Sequence, residues 1–147
     1  MKSEADCYSI DDLKSDKTTA WTEIRNYQAR NFMREMKVGD KVLFYHSNAA
    51  KETGIVGEAK VSKRTYADPT QFDKKSEYFD PKATIKNPRW ECVDIAFVKK
   101  YPYPVYLREL KNDPTFSTMI VAQKGSRLSI TPVNEKHFKE IQQLAKK

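Results

Sequence analysis

Three stretches of this chain, KVLFYHS at 41–47, GIVGEAKVSKRTY at 54–66 and RWECVDIAFVKKY at 89–101, concentrate β-branched and aromatic residues near a period of two. Such stretches form strands buried on one or both faces of a sheet. The first two are joined by a polar loop at 48–54 and should pair antiparallel. Gly57 inside the second predicts a bulge or a close backbone approach. The third sets Trp90, Cys92 and Asp94 against Glu91, Val93, Ile95 and Phe97, as a central strand buried on at least one side does, and Pro102 and Pro104 are expected to stop it. No regular βαβ repeat and no internal repeat occurs. An α+β fold follows, with an antiparallel or mixed sheet that is curved or barrel-like.

Helical signals sit between and beyond these strands. A short strand at 5–8 leads to Ser9, an N-cap candidate for a helical turn at 10–14 with acids at its positive end. SDKTTAW then reads as a polar loop. From Asn26, the sequence YQARNFMREM places Ala29, Phe32, Met33 and Met36 on one buried helical face and Arg30 and Arg34 on the other. That helix is expected to end at Lys37. Residues 67–88 hold three prolines, many charges and the aromatics Phe72, Tyr78 and Phe79, which predicts a long loop folded over the body. A short helix at 105–111 stops at Asn112, Asp113 and Pro114. An apolar run at 119–122, the loop QKGSR and a strand LSITPV follow. A last helix, begun by Asn134, buries Phe138, Ile141 and Leu144 or Ala145.

A length of 147 residues suits one domain able to bury a core without disulfides or metal. Cys7 and Cys92 are far apart and form no CxxC motif, so both are expected to be reduced and buried. No apolar run approaches the roughly 20 residues that span a bilayer, and the acidic start MKSEADCYSI lacks the form of a signal peptide. A cytoplasmic protein is the expectation. The formal net charge of +7 and pI near 9.3 favour a polyanionic partner.

Several residues carry candidate chemistry. Trp21 stands outside any periodic pattern, either as a core residue under its loop or as a face on which a flat ring stacks. Arg25, Asn26, Tyr27, Arg30 and Asn31 form a dense polar set beside it, with amide and guanidinium groups of the kind that base edges and phosphates require. Some of these cap and solvate the helix, Asn26 above all. His46 and Ser47 end a hydrophobic strand at what reads as a pocket rim. No nucleophile elbow or triad signature accompanies them, and His137 supplies no metal-ligand spacing with His46. Ser126, Arg127 and Ser129 surround a tight turn, as plain turn chemistry or as donors for an anion.

Taken in order, KSEAD at 2–6, TTAWTEIRNYQARNFMREMKVGDKVLFYHSN at 18–48, GIVGEAKV at 54–61, NPRWECVDIAFV at 87–98 and GSRLSITPV at 125–133 resemble the EVE domain. The likeness runs from Lys2 to the last helix and implies a single EVE domain over 1–147. Its implied fold is PUA-like: a curved, partly closed β-barrel, mixed or antiparallel, with short helices around it. The EVE family is also similar to the YTH domain, which cages a modified base, and is associated with modified cytosine in DNA. On that likeness the pocket comprises Lys2, Ser3, Trp21, Asn26, Tyr27, Arg30, Tyr45, His46, Ser47, Arg127 and Ser129, with Arg25 beside them. Trp21 would stack on the ring, Ser3, Asn26 and Ser47 would read its edge, and Lys2, Arg30 and Arg127 would meet phosphate or polar ring atoms. The family pattern has KSEP and WDGVRN where this chain has Ala5 and Trp21, Thr22, Glu23, Ile24 before Arg25. Glu23, standing at the glycine of the pattern, is thereby placed close to the proposed ring site, where it would alter which base edge or charge is accepted.

The implied partner is DNA or RNA carrying a modified base, methylated or hydroxymethylated cytosine above all. No cofactor, metal, membrane or obligate protein partner is implied. Two other readings compete: a pocket for a small nucleotide-like metabolite, and an enzyme acting on a base or nucleotide through His46 with Asp6 or Glu4.

Overall fold

A computed structural model describes residues 1–125 and 127–146. Five strands form one mixed sheet in the order β1-β3-β4-β5-β2: β1 (Lys2–Glu4), β2 (Thr18–Trp21), β3 (Lys41–Ser47), β4 (Gly54–Ala67) and β5 (Glu91–Tyr106). β3, β4, β5 and β2 run antiparallel in turn, and β1 joins β3 in parallel with Lys2, Ser3 and Glu4 opposite Tyr45, His46 and Ser47. The sheet is not closed, but it curls. In a flat sheet β2 and β3, three spacings apart, would lie about 14 Å from each other, yet the rings of Trp21 and Phe44 meet with centroids 5.6 Å apart.

Helices α1 (Ile10–Asp16), α2 (Tyr27–Glu35), α3 (Leu107–Asn112) and α4 (Glu135–Leu144) cover the sheet, and their starts follow from local side-chain chemistry. Ser9 and Asp12 make a reciprocal capping box, while Asn26 and Asn134 accept the amides of Ala29 and His137, each cap satisfying an N–H that the helix leaves unpaired. Packing divides by strand parity. Val42 and Phe44 join Ile10, Leu13, Trp21, Ala29, Met33 and Ile95 on one face, with Phe32 and Met36 packed against them. Leu43 and Tyr45 join Ile55, Tyr101, Phe116, Phe138 and Ile141 on the other. Gly57 is where α1 presses on the sheet. A Cβ there would lie 2.5 Å from the Lys99 carbonyl oxygen and 3.0 Å from Ile10, and the ladder shifts register beside it.

Five expectations need correction. Residues 5–8 are a turn, with the amides of Cys7 and Tyr8 both donating to the Glu4 carbonyl; the strand lies before it, and Cys7 is exposed. Part of SDKTTAW is strand β2, because Thr18–Trp21 find partners in Ala96–Val93, a pairing across more than seventy residues that no local pattern announces. Pro102 and Pro104 do not stop β5. They fall where its ladder with β4 skips from the Gly57/Lys100 pair to Ile55/Val105, a bulge in which a missing N–H costs no ladder bond. LSITPV forms no strand; its chain is held instead by buried Ile130 and by the Lys2 amide donating to the Ser129 carbonyl at 2.8 Å.

Candidate nucleic-acid interface

The predicted site residues divide between the two faces of β3. Trp21 meets Phe44 edge-on, and Phe44 meets His46 edge-on with centroids 5.7 Å apart, so these three rings form a row under α1. Trp21 is only 8% exposed. His46 Nε2 accepts the backbone amide of Ile10 at 3.1 Å, which requires the neutral imidazole. Burial lowers its pKa and favours that same form, with Asp11 opposing the shift and Lys100 assisting it. Ser3, opposite His46 in the ladder, donates to the Tyr8 carbonyl at 2.6 Å.

Lys2 and Tyr45 sit on the other face. The Lys2 ammonium lies 5.6 Å from the Tyr45 ring centroid; burial lowers the lysine pKa and pushes the tyrosine up to about 12. With Ser129 they border a cavity of about 290 Å³ whose lining also includes Met119, Ile130 and Phe138. Ser47 is half-buried at the end of β3, Arg127 is exposed, and Ser126 lies outside the described residues. The structure thus does not gather all of the predicted residues into one pocket. Neighbours in an extended strand point to opposite sides.

Beside the ring row, the start of α2 meets the long 68–90 segment. Arg25, expected among the ligand-binding residues, has its donors engaged by the protein: Nε and Nη2 reach the Tyr78 carbonyl, Nη2 also Thr70 Oγ1, and Nη1 the Ile24 carbonyl and Asp68 Oδ2. All five guanidinium hydrogens are accounted for, so Arg25 fastens the loop. Asp68, fully buried, also accepts the Glu23 amide and the Thr70 amide and hydroxyl. Gln71 is equally buried. Its amide nitrogen donates to the Asp68 and Trp90 carbonyls, and its oxygen accepts from the Arg89 and Trp90 amides.

On the outer side of this anchor, Tyr27 is half-exposed and stacks on Trp90 with centroids 4.8 Å apart and planes 26° from parallel. The Arg30 guanidinium lies 4.6 Å from the Tyr27 centroid and that of Arg89 5.9 Å; Arg89 Nη2 also donates to the Tyr27 hydroxyl. Arg30 donates to the Arg89 carbonyl and to Asn31 Oδ1, and among the described residues no carboxylate pairs with it. Its pKa is lowered, first by burial and then by Arg34. Concentrated cationic planes held against rings suit an anionic, aromatic ligand. Trp90, Arg89 and Asp80 were missed as parts of this surface, since Trp90 read as one more strand residue. The signal was the pair of Asp-Pro steps at 68–69 and 80–81, which turn the chain back so that Arg89 and Trp90 reach α2.

Among the described residues no His/Cys/Asp/Glu group has the arrangement of a metal site, and no helix is long and apolar enough to cross a membrane. His137, buried in α4, pairs with the Thr115 carbonyl.

Comparison with known proteins agrees with this architecture. The chain is 40% identical to thymocyte nuclear protein 1 of Homo sapiens over 95% of its own length and 66% of the relative's, and 42% identical to that of Gallus gallus over 89% and 57%. It therefore spans about two thirds or less of these relatives. A Pseudomonas syringae protein superposes with a TM-score of 0.94 at 42% identity, covering 99% of this chain and 97% of that one. Human thymocyte nuclear protein 1 in complex with DNA containing 5-methylcytosine superposes with a TM-score of 0.88 at 40% identity, covering 95% and 86%. The EVE domain model matches residues 1–144, and the chain belongs to the EVE domain family.

Proposed function

We propose that this chain acts as one non-catalytic DNA-binding unit that takes a modified cytosine at Trp21 and His46, the two ends of the ring row, while Arg30, Arg89 and the exposed face of Tyr27 hold the flanking strand. The observation that carries the reading is the set of ring-stacked guanidinium groups directly beside α2's start, six residues after Trp21, in a chain whose relative has been crystallised on DNA containing 5-methylcytosine. Stacking one base contributes about 1–3 kcal/mol and extruding it from a duplex costs a few kcal/mol. The two nearly cancel, so phosphate contacts must supply the net affinity, and salt should weaken binding steeply. A methyl group in an apolar niche adds only about 1 kcal/mol, which predicts modest preference for the modified base unless a polar group is read as well.

An enzymatic role through His46 finds no support in its geometry, because its Nε2 lone pair is already occupied by the Ile10 amide. One observation favours a second reading: the cavity beside Lys2, Tyr45 and Ser129 is separate from Trp21 and would suit a small nucleotide-like metabolite. Equilibrium binding to matched single- and double-stranded DNA and RNA, with and without modified cytosine and at two salt concentrations, distinguishes these. We expect tightest binding to modified DNA, weakened in Trp21→Phe, which retains an edge-on ring for Phe44. Uniform binding to every oligonucleotide would reduce the protein to a phosphate binder. Stabilisation by free nucleosides without oligonucleotide binding would favour the cavity.

A further inference from the structure

The 81–89 segment projects from the body as a stiff finger with an apolar tip. At its base, Asp80 accepts the Trp90 indole N–H at 2.8 Å and the Lys82 amide at 2.9 Å and lies 3.5 Å from Arg89, while its carbonyl accepts the Ala83 amide. One residue thus ties both legs together. At the tip, Thr84 and Asn87 exchange backbone bonds, the Asn87 amide to the Thr84 carbonyl at 3.0 Å and the Thr84 amide to the Asn87 carbonyl at 3.3 Å. This leaves a two-residue turn made of Ile85 and Lys86. Ile85 is 85% exposed, the most exposed of the large hydrophobic side chains in the described structure. Lys82 and Lys86 flank it, both exposed, and Arg89 closes the finger onto Tyr27.

We infer that this finger enters duplex DNA and that Ile85 occupies the place in the stack vacated by the extruded base, with Lys86, Arg89 and Arg30 on the neighbouring phosphates. The inference rests on the base-binding reading above and supplies the part that reading lacks. An extruded base leaves a gap of about 7 Å between its neighbours, twice the ~3.4 Å rise, and apolar wedges on basic proteins are known to insert between base steps of a duplex, so an apolar tip of this kind suits such a gap. Four residues separate Ile85 from Arg89, a reach of at most about 14 Å, so the tip stays near the start of α2, where the base is proposed to enter. A rigid turn loses little conformational entropy on insertion. A single-stranded ligand, having no gap, would gain nothing from it.

The test is Ile85→Ser, compared with the unaltered protein on three modified DNA ligands, a paired duplex with 5-methylcytosine, the same duplex with the modified base mismatched and the modified single strand, with the unmodified paired duplex as reference. With Ile85 so exposed, thermal melting should be unchanged. Affinity should fall about tenfold on the paired duplex, less on the mismatched one and not at all on the single strand. Equal losses on all three, or no loss on the duplex, would overturn the wedge, as would an unaltered protein that binds the modified single strand but no duplex. That last result leaves the base reading intact. Conversely, a duplex-confined loss together with equal affinity for modified and unmodified DNA would keep the wedge and remove the base reading.

Discussion

The two irregular segments of this fold, 68–90, which packs against the start of α2, and 119–133, which carries Arg127 and Ser129, are held by opposite means. The first is pinned by buried polar groups: Asp68 and Gln71 have no exposed surface, and their side-chain oxygens and nitrogen are all engaged, those of Asp68 by Glu23, Arg25 and Thr70 and those of Gln71 by Asp68, Arg89 and Trp90. The second relies on apolar anchors. Met119 and Ile130 are buried, and among the described residues a single backbone bond, Lys2 to Ser129, ties its later half to the sheet. A polar anchor fixes direction as well as distance, so it can orient Arg89 and Trp90 against α2. An apolar anchor fixes only position, and among the described residues Arg127 has no hydrogen-bond or ion-pair partner. The surface best prepared for an anionic ligand is the one built on hydrogen bonds.

Breaking the polar anchor should have the largest effect. Asp68→Ala leaves the largely buried Arg25 guanidinium without its countercharge and orphans the Glu23 and Thr70 amides, and losing one partner of a buried ion pair costs about 3–5 kcal/mol. Denaturant melts should show that loss, together with a weaker grip on the 68–90 segment seen as faster amide exchange at Arg89 and Trp90. Should Asp68→Ala melt within about 1 kcal/mol of the original protein, the polar network does not hold the loop. Ile130→Ala tests the apolar anchor. Truncating a buried isoleucine costs about 2–5 kcal/mol, and here the lower half of that range is expected, because the neighbouring 290 Å³ cavity shows a site already loosely packed. Its amide-exchange effect should be confined to 127–133 and leave Arg89 and Trp90 unchanged.

The same contrast explains what could be read from the sequence. Caps at Ser9, Asn26 and Asn134 and the apolar face of α2 were legible because each depends on residues within one or two turns. Strands β3, β4 and most of β5 were legible from alternation. Strand β2 was not, since Thr18 and Thr19 look like loop residues until β5 lies beside them. Of the site, the residue types were recognisable but their partners were not. Arg25 resembles a ligand-binding arginine in sequence and is a loop fastener in space, whereas Arg89 and Trp90, two ordinary-looking strand neighbours, supply a guanidinium beside Tyr27 and the buried ring on which the half-exposed Tyr27 stacks. Tyr45 and His46 could have been assigned to opposite faces by parity alone.

Glu23 sharpens the account of the polar anchor with a gain rather than a loss. Its φ is +74°, in the left-handed region that costs a side-chain-bearing residue about 1–2 kcal/mol, and its amide must point at Asp68. The resemblance to the EVE pattern has glycine there, which adopts this conformation freely. Glu23→Gly should therefore raise stability by about 1 kcal/mol, part of the relief being offset by glycine's greater freedom in the unfolded chain. An unchanged or lowered unfolding midpoint would mean that the Asp68 bond does not force this geometry.

The smallest effect concerns the base of the finger, where the polar anchor meets solvent. The Lys82 amide, the Trp90 indole and the nearby Arg89 hold the Asp80 carboxyl below the usual carboxylate range. Its folded pKa lies below its unfolded one, so the folded state binds the proton less readily, and the contribution of Asp80 is present at neutral pH. It is lost as pH falls through the depressed folded value. Protonation removes the charge that attracts Arg89 and weakens acceptance from the indole, which should loosen both legs of the finger at once. Following the Trp90 indole N–H by NMR from pH 7 downward should reveal a transition below the ordinary carboxylate range, shifted upward in Arg89→Gln as the opposing charge is removed. Asp80→Asn should abolish that transition while leaving the amides that report on Asp68 unmoved. If the indole resonance instead follows the Asp68 reporters in every variant, the finger and the buried anchor are one cooperative unit, and the tip is positioned by the core rather than by Asp80.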